Sequence, residues 1–144
     1  MIVFGSKEDG KRIAQAIPRQ FNPEVDPVIS NVKDGKLLGG VIFDGYTGAA
    51  IFMHQAGFDK HWMSRDLLWA CFDYAFVQLK CNVVAGTIPS KRLDLLALNQ
   101  RLGFKVTGKI EDAYPDCDLL VMTMKRGDCR WLKLKPRHIK AGDR

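Results

Sequence analysis

The chain has 144 residues, 47% of them hydrophobic and 26% charged, which fits one globular domain rather than two or a disordered segment. No apolar run nears the ~18 residues that cross a bilayer. Met1 to Phe4 gives way at once to Lys7, Glu8 and Asp9, so neither a signal-peptide core nor a membrane partner is expected.

Cys71, Cys81, Cys117 and Cys129 have neither zinc-site spacing nor the density of a secreted scaffold. Free thiols, no metal site and a cytoplasmic location are the expectation. The charge is localised: eight Lys or Arg and two Asp fall between Lys125 and Arg144, a net of +6 that equals the excess of the whole chain. Such a block is either a solvated tail or an attractor of phosphates and acidic partners. The organisation expected is one domain over residues 1–125 and a basic extension over 126–144, flexible from about Pro136.

In chain order, Ser6 caps a helix over Lys7–Ala16, with Glu8 and Asp9 in its first turn and Pro18 as its stop. Val25–Val32, interrupted by Pro27, reads as an edge strand. Lys36–Phe43 follows a turn at Asp34 and Gly35, and Ala49–His54 follows the turn Asp44–Gly48, making an antiparallel meander. From Trp62 to Leu79 the apolar period becomes helical, through Met63, Leu67, Leu68, Cys71, Phe72, Ala75, Phe76 and Leu79. Asn82–Gly86 is a short strand and Arg92–Leu102 a second amphipathic helix, with Gly103 as its left-handed cap. Phe104–Ile110 and Asp118–Met124 pair as a closing hairpin, and the alternation Trp131–Lys135 is a final strand or an amphipathic contact surface. The strand-helix-strand unit in the middle requires a right-handed parallel crossover, so the fold class is α/β, a mixed sheet with helices on its faces.

The stretch from Ala49 to Met63 and Arg65 carries the chemistry. A strand leaves the sheet and enters a helix through Lys60, His61, Ser64 and Arg65. Amide groups at a helix start bear partial positive charge, and Arg65 adds a bidentate donor, which makes this a candidate diphosphate seat; Ser64 as a plain N-cap and Arg65 as a solvated charge are the alternative.

Arg101, Leu102, Gly103 and Phe104, after an amphipathic helix and before a strand with Gly108, resemble the carboxyl-terminal signature of the GNAT acetyltransferase superfamily. Trp62–Arg65, Phe72–Phe76, Gln78, Leu79 and Cys129–Leu132 resemble GNAT proteins met in bacteriophage and prophage sequences. The resemblance covers most of the chain. It implies a mostly antiparallel sheet whose central parallel strands, Ala49–His54 and Asn82–Gly86, splay apart to admit the pantetheine arm of acetyl-CoA beside Met53 and Gln55. The diphosphate then lies on Lys60 to Arg65. Asn99 stands where many members carry a tyrosine that protonates the departing thiolate, and Lys60–Ser64 stands where they carry a glycine-rich loop.

Acyl transfer to an amine needs the amine free of its extra proton, and histidine is the side chain whose ordinary pKa suits that task. His54, near the end of the strand beside the thioester, is the candidate base, with a structural histidine as the alternative. Tyr114 or solvent is the candidate proton donor to the thiolate. The function this implies is transfer of an acetyl (acyl) group from acetyl-CoA to an amine of a small molecule or protein. Two alternatives remain: a catalytically weak phage scaffold that binds a host protein, acting in the host cytoplasm, and a base-modifying enzyme whose basic tail contacts nucleic acid.

Overall fold

The computed structural model describes residues 1–17 and 20–139. It contains one seven-stranded sheet in the order β1-β2-β3-β4-β5-β7-β6. The strands are β1 (Ile2–Phe4), β2 (Val28–Lys33), β3 (Lys36–Asp44), β4 (Ala50–Gly57), β5 (Val83–Pro89), β6 (Lys105–Ile110) and β7 (Leu119–Lys125). The helices are α1 (Lys7–Ala16), α2 (Arg65–Phe72) and α3 (Leu93–Leu102). Every neighbouring pair is antiparallel except β4 and β5. The expected mixed α/β sheet with one central parallel pair is present.

Alternation along the strands divides the core. Val28, Ile42 and Ala56 pack on Ile13 and Ala14 of α1. Their neighbours Ile29, Val41, Phe43 and Ile51 pack on the other face against Leu67, Cys71, Phe72 and Phe76. Side chains of period two thus cover α1 on one side and α2 on the other, each fully buried Ile or Phe contributing roughly 1.5–3 kcal/mol. α3 joins the α2 side through Leu95, Leu96 and Leu102.

Local signals account for most ends. The Ser6 hydroxyl accepts the Asp9 N–H, and Gly103 closes α3 at φ 113°, a left-handed value that glycine adopts without strain. Pro18, the expected stop of α1, lies outside the described residues.

Three expectations are corrected. Val25–Val32 is not an edge strand, because β1 pairs with β2 and takes the edge; Pro27 delays β2 to Val28. The long helix does not begin at Trp62, because the Ser64 hydroxyl accepts the Leu67 N–H and sets the start at Arg65. Nor does it stay α-helical: Asp73–Gln78 is a π-helix, with the Leu79 N–H bonded to the Tyr74 carbonyl. Of the two readings of Trp131–Lys135 the contact surface is the one present: Arg130–Lys133 is a 3₁₀ turn, and Trp131 and Leu132 pack against the core.

Candidate active site

β4 and β5 pair only over Ala50↔Val83, Ile51↔Val84 and Phe52↔Ala85, and then diverge. The Ala49 carbonyl accepts from the Asn82 N–H, so odd-numbered residues of β4 turn their backbone groups toward β5 and even-numbered ones toward β3. Met53 and Gln55 therefore present their amide groups to the gap beyond the last pair. An extended polar arm laid there meets a row of strand donors and acceptors.

The gap opens into a cleft of about 440 Å³. Met53, His54, Gln55, Asn99 and Tyr114, all expected at the site, line it together. One wall comes from Gly86–Pro89 of β5, another from Leu95 and Asn99 of α3, and the end of α1 contributes Ala16 and Ile17. Lys60, His61, Ser64 and Arg65 do not line it; they form the loop after β4 and the first turn of α2.

His54 is paired across β3 with Ile42, which puts Asp44 diagonally opposite on the same face. The His54 Nε2 lies 2.8 Å from the Asp44 Oδ1. Both are mostly buried, the side chains 17% and 26% exposed, so water screens the pair weakly. A carboxylate on one ring nitrogen fixes the imidazole orientation and stabilises the imidazolium that forms when the ring takes a proton. The Phe52 ring lies parallel to the imidazole, centroids 6.4 Å apart. Tyr114 sits in the β6–β7 turn, which its own N–H closes on the Cys117 carbonyl at 3.1 Å.

On the α3 side, the Gln55 Nε2 donates to the Asn99 Oδ1 at 3.2 Å. At the rim, the Arg92 guanidinium is bidentate on Asp94, at 3.0 and 2.9 Å. That contact holds the Asp94 carboxyl down to about 2.

No family model matches the chain, and no curated protein sequence matches it. Solved structures do. A variant of the spermidine N-acetyltransferase of Vibrio cholerae superposes with a TM-score of 0.72 at 12% identity, over 92% of this chain and 96% of its own. The protein yncA of Salmonella typhimurium, solved with its cofactor acetyl-CoA, gives 0.66 at 18% identity over 96% and 98% of the two chains. An acetyltransferase of the GNAT family from Bacillus anthracis gives 0.63 at 13% identity over 86% and 93%. The chain has the GNAT acetyltransferase fold.

Several contacts that shape this cleft carry no local sequence signal. Asp44, which as sequence reads as a turn residue, is the partner of His54; the meander register and period two are the only signals for it. Asn31 of β2 is buried, and its Nδ2 donates to the Trp62 carbonyl at 2.8 Å and to the Ser64 hydroxyl at 3.3 Å. It thereby fixes the loop that leads into α2. Trp62 lies across Gly39 and Gly57, a cross-strand pair whose missing side chains admit the indole.

The basic extension is likewise engaged along its described length. Arg126 donates twice to the Cys81 carbonyl. Arg130 donates to the Arg101 carbonyl and the Trp131 indole to the Leu102 carbonyl at 2.8 Å, satisfying the last turn of α3. The N–H groups of Arg137 and His138 then donate to the buried Asp66 carboxylate at the start of α2, at 2.7 and 3.0 Å.

Proposed function

We propose that the chain transfers an acetyl group from acetyl-CoA to an amine. The observation that carries this reading is the end of β4–β5 pairing at Phe52 and Ala85, which leaves the Met53 and Gln55 backbone facing a cleft that also holds His54 and Tyr114. The pantetheine arm adds to β4 as a strand would. Its diphosphate lies toward Lys60, His61, Ser64 and Arg65, where the first amides of α2 and the Arg65 guanidinium favour an anion. The Asn99 and Gln55 carboxamides border the thioester.

In the reaction, the amine nitrogen attacks the thioester carbonyl carbon, the carbon–sulfur bond breaks, and the sulfur leaves as a thiolate. His54 takes the proton that the amine sheds, with Asp44 stabilising the imidazolium, and Tyr114 gives a proton to the thiolate. β4 amides pointing into the gap polarise the carbonyl. The fold shared with acetyltransferases, one of them solved with acetyl-CoA, supports the donor. Four free thiols and the resemblance of Phe72–Phe76 and Cys129–Leu132 to phage-type sequences support a cytoplasmic, phage-encoded protein.

A thermal-shift titration with acetyl-CoA, followed by thiol-release assays with added amines, tests the reading. A ligand that binds only the folded state raises the midpoint with concentration. A midpoint that stays fixed up to millimolar acetyl-CoA rejects it.

A further inference from the structure

The two halves of the cleft differ in chemistry. Val84 and Ile88 of β5 and Ile51 of β4 belong to the core on the α2 side, so by period two Thr87, Pro89 and His54 face the α1 side. With Ala16, Ile17 and Tyr114 they line that half of the cleft. Three of the six are apolar, two are neutral hydroxyl side chains, and His54 has Asp44 against its Nε2.

The remaining wall is also poor in anionic groups. Among the described residues that line the cleft there is no Asp or Glu, and the one guanidinium, Arg92, is bidentate on Asp94. A polyamine carries a positive charge on each nitrogen at neutral pH. Taking such a chain out of water requires a carboxylate for each buried charge, because an unpaired buried cation is costly. An acceptor bearing its own carboxylate meets the mirror problem, since Arg92 is already matched. A single amine on an uncharged body meets neither: it loses its extra proton to solvent on entry as the free base, His54 takes the proton shed on attack, and its apolar surface is covered by Ala16, Ile17, Pro89 and the Tyr114 ring.

We infer that the acceptor is a primary monoamine with an uncharged, largely apolar body, and that polyamines are poor acceptors; the inference rests on the acyl-transfer reading of this cleft. The test uses the full chain with acetyl-CoA and three acceptors: 2-phenylethylamine, spermidine and aspartate. Acetyl-CoA binding is measured by calorimetry on the same preparation, and kcat/KM by thiol release. Phenylethylamine should exceed each of the others by roughly tenfold or more, the discrimination that apolar complementarity commonly supplies. Thr87→Asp, which puts a carboxylate in the wall, should shift the preference toward spermidine by about tenfold, whereas Thr87→Asn should leave it in place. Spermidine or aspartate as the better acceptor overturns the inference, and so does turnover of none of the three by protein that binds acetyl-CoA. Failure to bind acetyl-CoA overturns the underlying reading instead.

Discussion

The Gln55 carboxamide donates to the Asn99 Oδ1 at 3.2 Å, joining the strand that opens the cleft to the helix that walls it. Gln55→Ala and Asn99→Ala should each cost about 1 kcal/mol of stability, the usual net worth of such a bond. The double variant should cost less than the two combined, with a coupling of about 0.5–1 kcal/mol in urea unfolding. Strict additivity would mean that the two side chains do not meet in solution.

For the proton transfer, His54→Gln should lower turnover about 10²-fold or more while acetyl-CoA affinity changes little. A base must be unprotonated to act, so wild-type kcat/KM should fall along an acid limb as pH drops, and the variant should lose that limb. Asp44→Asn should retain acetyl-CoA binding and lose turnover, because the imidazolium loses its counter-charge. Wild-type rates in His54→Gln at neutral pH would assign the proton elsewhere.

Trp62 and Gly57 make a packing test. A Cβ at Gly57 would stand 2.1 Å from the indole nitrogen, so Gly57→Ala should destabilise by about 1–3 kcal/mol as the ring is displaced. In a Trp62→Ala background the same change should cost close to nothing. An equal penalty in both backgrounds would place the strain in the strand itself.

Asp66 is buried, and both carboxylate oxygens accept N–H groups of the carboxyl-terminal segment, from Arg137 and His138. Asp66→Ala should cost about 1.5–3 kcal/mol, the range for hydrogen bonds to a charged group. Trypsin should then cut after Lys133 and Arg137 faster than in the wild type. Unchanged cleavage would show that other contacts hold the segment.

Burial pushes the Cys71 thiol up from an ordinary value of 9.0. Above about pH 9 the unfolded chain therefore sheds this proton while the folded chain keeps it, so stability is fully present below that pH and lost as pH rises. The slope for this thiol is about 1.4 kcal/mol per pH unit. Cys71→Ala should unfold with an alkaline slope shallower by about half that amount on average between pH 8 and 10, measured by urea denaturation, because the unfolded thiol is only partly ionised over that range; an unchanged slope would show that the thiol ionises within the fold.

The helix Lys7–Ala16 was legible from its Ser6 cap and acidic first turn, the strand Lys36–Asp44 from the turns that flank it, and the helix Leu93–Leu102 from its apolar period and the glycine after it. β1 was not, because a three-residue strand between Met1 and Gly5 is too short for alternation to register. The π-helix was not, because one added residue per turn keeps Phe72, Ala75 and Phe76 facing the core and leaves the apolar pattern intact. At the site, the residues of β4 were legible from the strand they end, and Asn99 from its place before Gly103. Their partners were not: Asp44 reaches His54 through strand register, Gln55 reaches Asn99 across the gap, and Asp66 reaches residues some 70 positions along. Such contacts are decided by topology, which local periodicity does not encode.

The segment from Arg130 to His138 grips the tail of α3 and the head of α2 together. α3 walls the cleft and the loop proposed for the diphosphate leads into α2, so the clasp ties the two together. Widening the cleft then drags or tears this clasp, and a label on exposed Lys135 would report breathing of a chamber it does not touch.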